Sequence, residues 1–424
     1  MLTLDEENKL TQGSETAMRA VPSSAIALLF LWLTGAQMLG SAGLSAQEVP
    51  TLTGARHHLH EDRLRLMLEI TPAPAFALFT LSDPDRLVID FPALDWQAGD
   101  GVLSDAPYLD DLRYGLFRRD RSRIVMSLTR PLLVERVFSQ EPRGNEPGRL
   151  VIDLAPTDRE SFDQTAGWPE QARWQGDAPP VPASARAGGI VIAIDPGHGG
   201  VDPGATAGRL TEKTVVLGFA KILADQINAM PGFTAYLIRD SDVFVPLAER
   251  VARAHRAGAN AMLSIHADSV VQGRASGVSA YTLSDKGTDD AAEALAAREN
   301  RSDVLAGADL GGESDELTRL LVELAQRGTR DESSKLARAL VRQLEKKVEL
   351  LRTRPLRQAG FRVLKAPDIP SVLLELGFLD SPVDRKRLAD PEWLEGTAKA
   401  VALGLTDWTK VASPGFLLPR QQRR

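Results

Sequence analysis

Apolar positions follow two different rhythms along this chain. From Val49 to Thr157 they alternate: in DRLRLMLEI, beginning at Asp62, Leu64 and Leu66 are interleaved with Arg63 and Arg65, the pattern of a strand with one wet face. DRLVIDF (Asp85 to Phe91) returns as GRLVIDL (Gly148 to Leu154), and SRIVMSL from Ser122 answers DRLRLMLEI, each phrase carrying arginine at its second position. Four related strand phrases in two halves predict a duplicated, separate all-β domain over residues 47–157.

Ser161 to Gly189 shows no period and is rich in Pro, Gly, Ala and polar residues, so 158–189 reads as a linker, semi-rigid where the prolines cluster. The rhythm then changes. GIVIAID, EKTVVLGFAKILADQINAM, FTAYLIR, PLAERVARAHRAG and AMLSIHA alternate short apolar runs with stretches of helical period. VSAYTL, FRVLKA and SVLLEL supply further strands, and WLEGTAKAVALGLTDW a closing helix. This predicts an α/β domain over 190–409, a largely parallel twisted sheet flanked by helices. Between Tyr281 and Phe361 the helical stretches are densely charged. Leu336, Leu340 and Leu344 fit the scaffold's own helix, whereas about 285–333 reads as a helical insertion. Residues 410–424 read as a disordered basic tail.

From Ala20 to Gln47 the chain carries no charge, and an apolar core is followed by small residues, so residues 1–46 read as a secretory signal cleaved after Ala46. Met18-Arg19 supplies a basic n-region that the acidic residues before it do not, which places the translated start at Met18. An uncleaved membrane anchor is the alternative for a run of this length. On either reading the folded part works outside the cytoplasm, and the periplasm is the expected compartment.

A length of 424 residues allows two domains with their own cores, and 43% hydrophobic with 25% charged residues is a folded composition. The net charge of -7 removes nucleic acid from the expected partners. There is no cysteine, so disulfides and thiolate chemistry are excluded and any metal must be held by histidine and carboxylate.

Of the six histidines, His57, His58 and His60 lie on a strand near the expected mature terminus and read as surface residues, and His255 lies among charges on a helix. His198, in IDPGHGGVDPGA, and His266, in AMLSIHAD, each fall at the carboxyl end of an expected strand, where open α/β sheets bind ligands. Two histidines call for a third protein ligand if zinc is to keep one position open. Glu212, opening the helix after the glycine loop, is the candidate. Glu375 ends the apolar run SVLLEL, where a carboxylate is costly unless used, and suits a general base.

IDPGHGGVDPGA, the Glu212 of TEK, SIHAD and PSVLLELGFL, in this order, resemble the zinc-dependent N-acetylmuramoyl-L-alanine amidases, the type 3 amidase family, over about Ile190 to Trp408. The β domain resembles, in length, position and its RLVID phrases, the AMIN domain of septal cell-wall amidases. The resemblance implies that one Zn2+ is held by His198, Glu212 and His266. Glu375 would then serve as catalytic base for hydrolysis of the amide between the lactyl group of N-acetylmuramic acid and L-alanine in peptidoglycan. Asp195 and Asp268, beside the histidines, are expected to orient them, and Arg250 to organise the site. In septal amidases an inserted helix covers the cleft until a LytM-type activator displaces it. Here about Asp289 to Gly307 is the candidate plug, with Glu293 or Glu299 as the zinc-capping carboxylate. The role implied is cell-wall remodelling and daughter-cell separation at the septum, with the AMIN-like domain targeting the wall and no membrane insertion once the signal is removed. A zinc peptidase cutting the stem peptide and a catalytically silent peptidoglycan-binding protein are the competing readings.

Overall fold

The computed structural model describes residues 49–99, 102–144, 146–169, 178–183, 189–269, 275–308 and 316–418. The expected signal peptide lies outside them, as do 170–177 and 184–188 of the expected linker. In the N-terminal part β1 (Thr51–His60), β2 (Arg63–Thr71), β3 (Ala77–Leu81), β4 (Arg86–Pro92), β5 (Asp95–Trp96), β6 (Leu109–Arg118), β7 (Arg121–Leu128), β8 (Leu132–Gln140) and β9 (Arg149–Pro156) build two sheets, ordered β5-β1-β2-β9-β8 and β3-β4-β7-β6. The four repeated phrases become paired strands inside these sheets: β2 beside β9, and β4 beside β7. Each pair takes one strand from each half of the duplication. Period-two alternation turns Leu64, Leu66, Leu68 and Ile70 of β2 and Leu87, Ile89 and Phe91 of β4 into one shared core.

β4 breaks the alternation, since Arg86 to Phe91 are all buried. Its outer face is covered by the second domain, where Val88 joins Phe117, Phe244 and Ala306 in one apolar cluster. A second departure lies at the start of the expected linker. Asp158 caps a short helix, α1 (Arg159–Thr165), by accepting from the Ser161 amide at 2.9 Å, and Phe162 is fully buried beneath it. Polar composition hid this cap.

The C-terminal part holds β10 (Ile190–Pro196), β11 (Thr206–Ala207), β12 (Leu210–Thr211), β13 (Phe233–Leu237), β14 (Ala261–His266), β15 (Ser279–Leu283), β16 (Leu356–Ala359) and β17 (Ser371–Glu375). Its helices are α2 (Glu212–Asn228), α3 (Leu247–Arg256), α4 (Asp290–Glu299), α5 (Ser302–Leu305), α6 (Glu316–Leu344), α7 (Pro382–Leu388), α8 (Pro391–Thr409) and α9 (Pro414–Leu417). The main sheet runs β13-β10-β14-β17-β15-β16, parallel throughout except between β15 and β17. On one face Phe219 and Leu223 of α2, Leu336 and Leu340 of α6 and Val401 and Trp408 of α8 close the core; on the other Tyr281 packs with Leu295 of α4 and Phe361. This α/β architecture matches the sequence expectation. No helix among the described residues is long and apolar enough to cross a membrane.

Two local readings change. FRVLKA is not a strand: Arg362–Leu364 form a 3-10 turn, and the edge strand is the LRQA segment just before it. Phe361, Val363 and Leu364 are apolar because they fill the core beneath the sheet, a case in which a short apolar run reports burial rather than strand. The segment from 410 is not a free tail in its described part. Asn260 Nδ2 donates to the carbonyls of Phe416 (2.8 Å) and Leu418 (3.1 Å), and Leu417 packs against the core. Residues 419–424 lie outside the described residues.

Candidate active site

β10, β14 and β17 are neighbours in the sheet, and their carboxyl ends deliver His198, His266 and Glu375 to one place. The chain must turn sharply after Pro196. His198 itself adopts φ 57°, followed by Gly199 at 125° and Gly200 at 56°. A histidine in the left-handed region stores on the order of 1–3 kcal/mol, which its surroundings must offset. Two further glycines are set by close approach: a Cβ on Gly197 would lie 2.4 Å from the His266 ring, and one on Gly204 2.7 Å from both Glu212 and His198. The glycine-rich loop exists to let three side chains meet.

Glu212, the first residue of α2, is fully buried and bridges the histidines. Its Oε1 accepts from the Ala267 amide (2.9 Å) and lies 3.1 Å from His266 Nδ1. Oε2 accepts from the Ala205 amide (2.9 Å) and lies 3.2 Å from His198 Nε2. One ligand atom from each of the three residues falls within 4.8 Å of the others. The His198 and His266 rings stand edge to face, 5.0 Å between centroids.

The opposite nitrogen of His198, Nδ1, lies 2.9 Å from Asp202 Oδ2. A carboxylate there holds the proton on Nδ1 and leaves the Nε2 lone pair facing the cluster, where Nε2 is buried without a hydrogen bond. Burial disfavours a charged His198, yet the carboxylates of Glu212, Asp202 and Glu299 outweigh it and raise the imidazole pKa well above its ordinary value. His266 is raised in the same way, against burial, by Glu299 and Glu212. Buried carboxylates outnumber the cations around this pocket, an imbalance that a divalent cation relieves. Two imidazoles and one carboxylate are the donor set of a catalytic zinc site, so the residues fit that metal.

Glu375, beside His266 in the sheet register, is fully buried; its Oε2 accepts from the Asp268 amide at 3.2 Å, and Oε1 makes no hydrogen bond. Burial, and then the charges of Asp268, Glu212 and Glu299, push its pKa well above the usual carboxyl range. Burial likewise pushes Asp268 up to about 7.

The insertion enters this pocket. Glu299, the last residue of α4, places Oε2 3.4 Å from His198 Nε2 and 3.2 Å from His266 Nδ1. Arg298 pairs with the Asp268 carboxylate, and Ser302 Oγ donates to Asp202 Oδ2 at 2.6 Å. Glu293 is exposed and turned away: its Oε1 accepts from the Gly287 amide at 3.0 Å. Of the two candidate glutamates, only Glu299 meets the histidines.

The expected orienting residues divide differently from the sequence reading. Asp195 does not touch a histidine; it accepts from Arg250 Nη1 and Ser264 Oγ, both at 2.8 Å, because the buried guanidinium needs a counter-charge there. Asp268 contacts Glu375 through its amide and Arg298 through its carboxylate. The residue that orients His198 is Asp202, four positions along the same loop, and that His-x-x-x-Asp spacing was the available signal. Arg250 does organise the loop: Nη1 also donates to the Pro196 carbonyl (2.8 Å), Nη2 to that of His198 (2.7 Å) and Nε to that of Val245 (2.8 Å). His58 and His60 are exposed on β1, with His57 half-buried 3.7 Å from Asp105; the exposed His255 lies 3.7 Å from Asp368.

Residues 192–407 match the family model described as N-acetylmuramoyl-L-alanine amidase, and 56–154 match the AMIN domain. The chain is 33% identical over 386 residues to the N-acetylmuramoyl-L-alanine amidase AmiC of Neisseria meningitidis, spanning 87% of this chain and 92% of that protein. It is 32% identical to AmiC of Escherichia coli over 80% of this chain and 85% of that one. Against AmiA of Escherichia coli the identity is 37%, over 54% of this chain and 79% of the relative.

Proposed function

The chain belongs to the N-acetylmuramoyl-L-alanine amidases, and from that premise we propose that it is an exported, zinc-dependent and autoinhibited member. It cleaves the amide joining the lactyl group of N-acetylmuramic acid to L-alanine in peptidoglycan. The observation that carries this reading is the convergence of His198, Glu212 and His266 within 4.8 Å, with Glu375 on the adjoining strand end. His198, Glu212 and His266 are the residues that would hold the zinc. When bound, the metal supplies Lewis-acid polarisation of the amide carbonyl and of the attacking water.

The protein's own groups do the rest. Asp202 fixes the His198 imidazole through Nδ1. Glu375 takes a proton from the water as its oxygen bonds to the carbonyl carbon, and returns one to the nitrogen as the C–N bond breaks, leaving a lactyl carboxylic acid and a free L-alanine amine.

Glu299 supports autoinhibition, since it occupies the face of the histidines that a substrate carbonyl needs. A LytM-type activator that withdraws α4 is the partner this implies. The uncharged run from Ala20 to Gln47 supports export to the periplasm, and the AMIN domain supports attachment to the wall at the septum. Digestion of purified peptidoglycan tests the reaction: stem peptides with a new L-alanine N-terminus are expected, and Glu375→Gln should lose at least about a hundredfold in rate while keeping its zinc. Release of a D-amino acid instead, or full activity in Glu375→Gln, overturns the assignment.

A further inference from the structure

We propose that the AMIN module is itself part of the lock: docked on the catalytic domain, it grips the far end of the plug, so that undocking of the module and release of the plug are one coupled event. The inference rests on the reading of the insertion as an autoinhibitory plug and adds the element that holds it shut.

The grip consists of two arginines. Arg86 of β4 donates to the Val304 carbonyl, and Arg123 of β7 donates through Nη1 to the Gly307 carbonyl, both acceptors lying at or just beyond the end of α5. Arg123 is fixed for this by Asp90, which accepts from Nε at 2.6 Å and Nη2 at 2.8 Å, and by the Phe117 ring 3.4 Å below its guanidinium. The duplication supplies an internal comparison. Arg65 and Asp153 form the same two-bond pair in the other sheet, with side chains 47% and 17% exposed, whereas Arg123 and Asp90 are 0% and 1% exposed. Burying such a pair is costly unless every donor is used. In the docked copy the remaining Nη1 is used on the plug.

An apolar seal surrounds the two arginines. Phe79, Val88, Phe117 and Val125 of the module pack with Ala306 and Ala308 of the insertion and with Val201 and Phe244 of the catalytic domain. Phe117 stacks on Phe244 at 5.7 Å, the Phe244 amide donates to the Leu116 carbonyl at 3.0 Å, and a Cβ on Gly200 would lie 1.8 Å from that carbonyl oxygen. The module thus sits directly on the loop that carries His198. Asp202 joins all three bodies, accepting from Ser302 Oγ of the insertion at 2.6 Å and from Arg113 Nη1 of the module at 3.3 Å while it holds His198. A coupling of this kind is reciprocal: whatever draws the module away opens the plug, and opening the plug loosens the module.

The test uses the full chain with three variants: Arg86→Ala on the module, Ala306→Asp in the seal, and Glu299→Gln, which frees the plug without touching the interface. Two readouts are taken, basal peptidoglycan hydrolysis and hydrogen exchange of the Phe244 amide. All three variants are expected to raise basal hydrolysis, the interface pair by about tenfold, which corresponds to ~1.4 kcal/mol of lost coupling. Glu299→Gln should also speed Phe244 exchange, a result that does not depend on any interface variant folding. If Glu299→Gln activates but both interface variants keep parental hydrolysis, or if Phe244 exchange ignores the open plug, the latch is wrong while the plug reading stands. If neither Glu299→Gln nor removal of the insertion activates, both fall together.

Discussion

Replacing Asp202 by asparagine changes one buried group and asks how His198 is held ready for a metal. Asp202 is almost fully buried and accepts from His198 Nδ1 (2.9 Å), Ser302 Oγ (2.6 Å) and the Gly204 amide (3.3 Å). Asparagine keeps the shape but removes the charge, and one of its two ends must present donors. If the amide nitrogen faces Nδ1, the imidazole proton moves to Nε2, the atom needed for coordination. Loss of such a carboxylate partner costs 10–100-fold in metal affinity as an order of magnitude, roughly 1.4–2.7 kcal/mol. The assay is competitive zinc titration against a chelator, with a thermal melt to confirm folding. Ser302→Ala is the control, because it strips the Ser302 hydrogen bond from the same carboxylate and leaves the His198 pair intact. It should bind zinc within about twofold of the parent. A folded Asp202→Asn protein with parental zinc affinity would refute the argument that this carboxylate sets the tautomer.

Further expectations follow from the same geometry. Glu293→Gln should leave basal hydrolysis at the parental level while Glu299→Gln raises it, since only the second reaches the histidines; equal behaviour of the two in a peptidoglycan-release assay would sink that distinction. Gly197→Ala puts a methyl 2.4 Å from the His266 ring and should weaken zinc binding and cost about 1–3 kcal/mol of stability, read by chelator competition and urea unfolding. Parental values in both would show that the loop yields more easily than its packing suggests. Arg250→Lys loses the guanidinium fork that ties Asp195 and the Pro196, His198 and Val245 carbonyls together. It should destabilise by about 2 kcal/mol or more, and an unchanged urea midpoint would count against the role given to this residue.

How much of this was legible in the sequence depends on the range over which each feature is determined. Strand and helix order in the α/β domain, the edge strand at Leu356–Ala359 excepted, could be read because each element declares itself within a window of its own length, by alternation or by helical period. His198, His266 and Glu375 could be placed because strand ends in a parallel sheet are where such residues converge, and no geometry beyond the element order was needed. Asp202 was not found although it lies in the same quoted loop. Its role follows from the turn made by His198 at φ 57° and by the glycines after it, a backbone path that composition hints at but does not specify. Asp195 lies nearer to His198 in the sequence, yet it belongs to β10, before the turn that carries His198, and its carboxylate is taken by Arg250 and Ser264. The choice between Glu293 and Glu299 turned on where α4 ends relative to the pocket, a boundary that periodicity leaves uncertain by a turn.

The docked face of the AMIN module was hidden for a different reason. RLVID occurs twice, and in both copies its aspartate lies opposite an arginine of the neighbouring strand, Asp90 opposite Arg123 and Asp153 opposite Arg65, so nothing in either phrase tells which will be covered. The discriminating residues lie elsewhere: Phe117 and Phe79 beside one copy, and the small Gly307, Ala306 and Ala308 that let the insertion reach it. A duplicated β sandwich naturally offers two similar outer faces. What makes one of them an interface is therefore a property of the chain that comes to meet it, and here that chain is the inserted segment that also carries Glu299 into the active site.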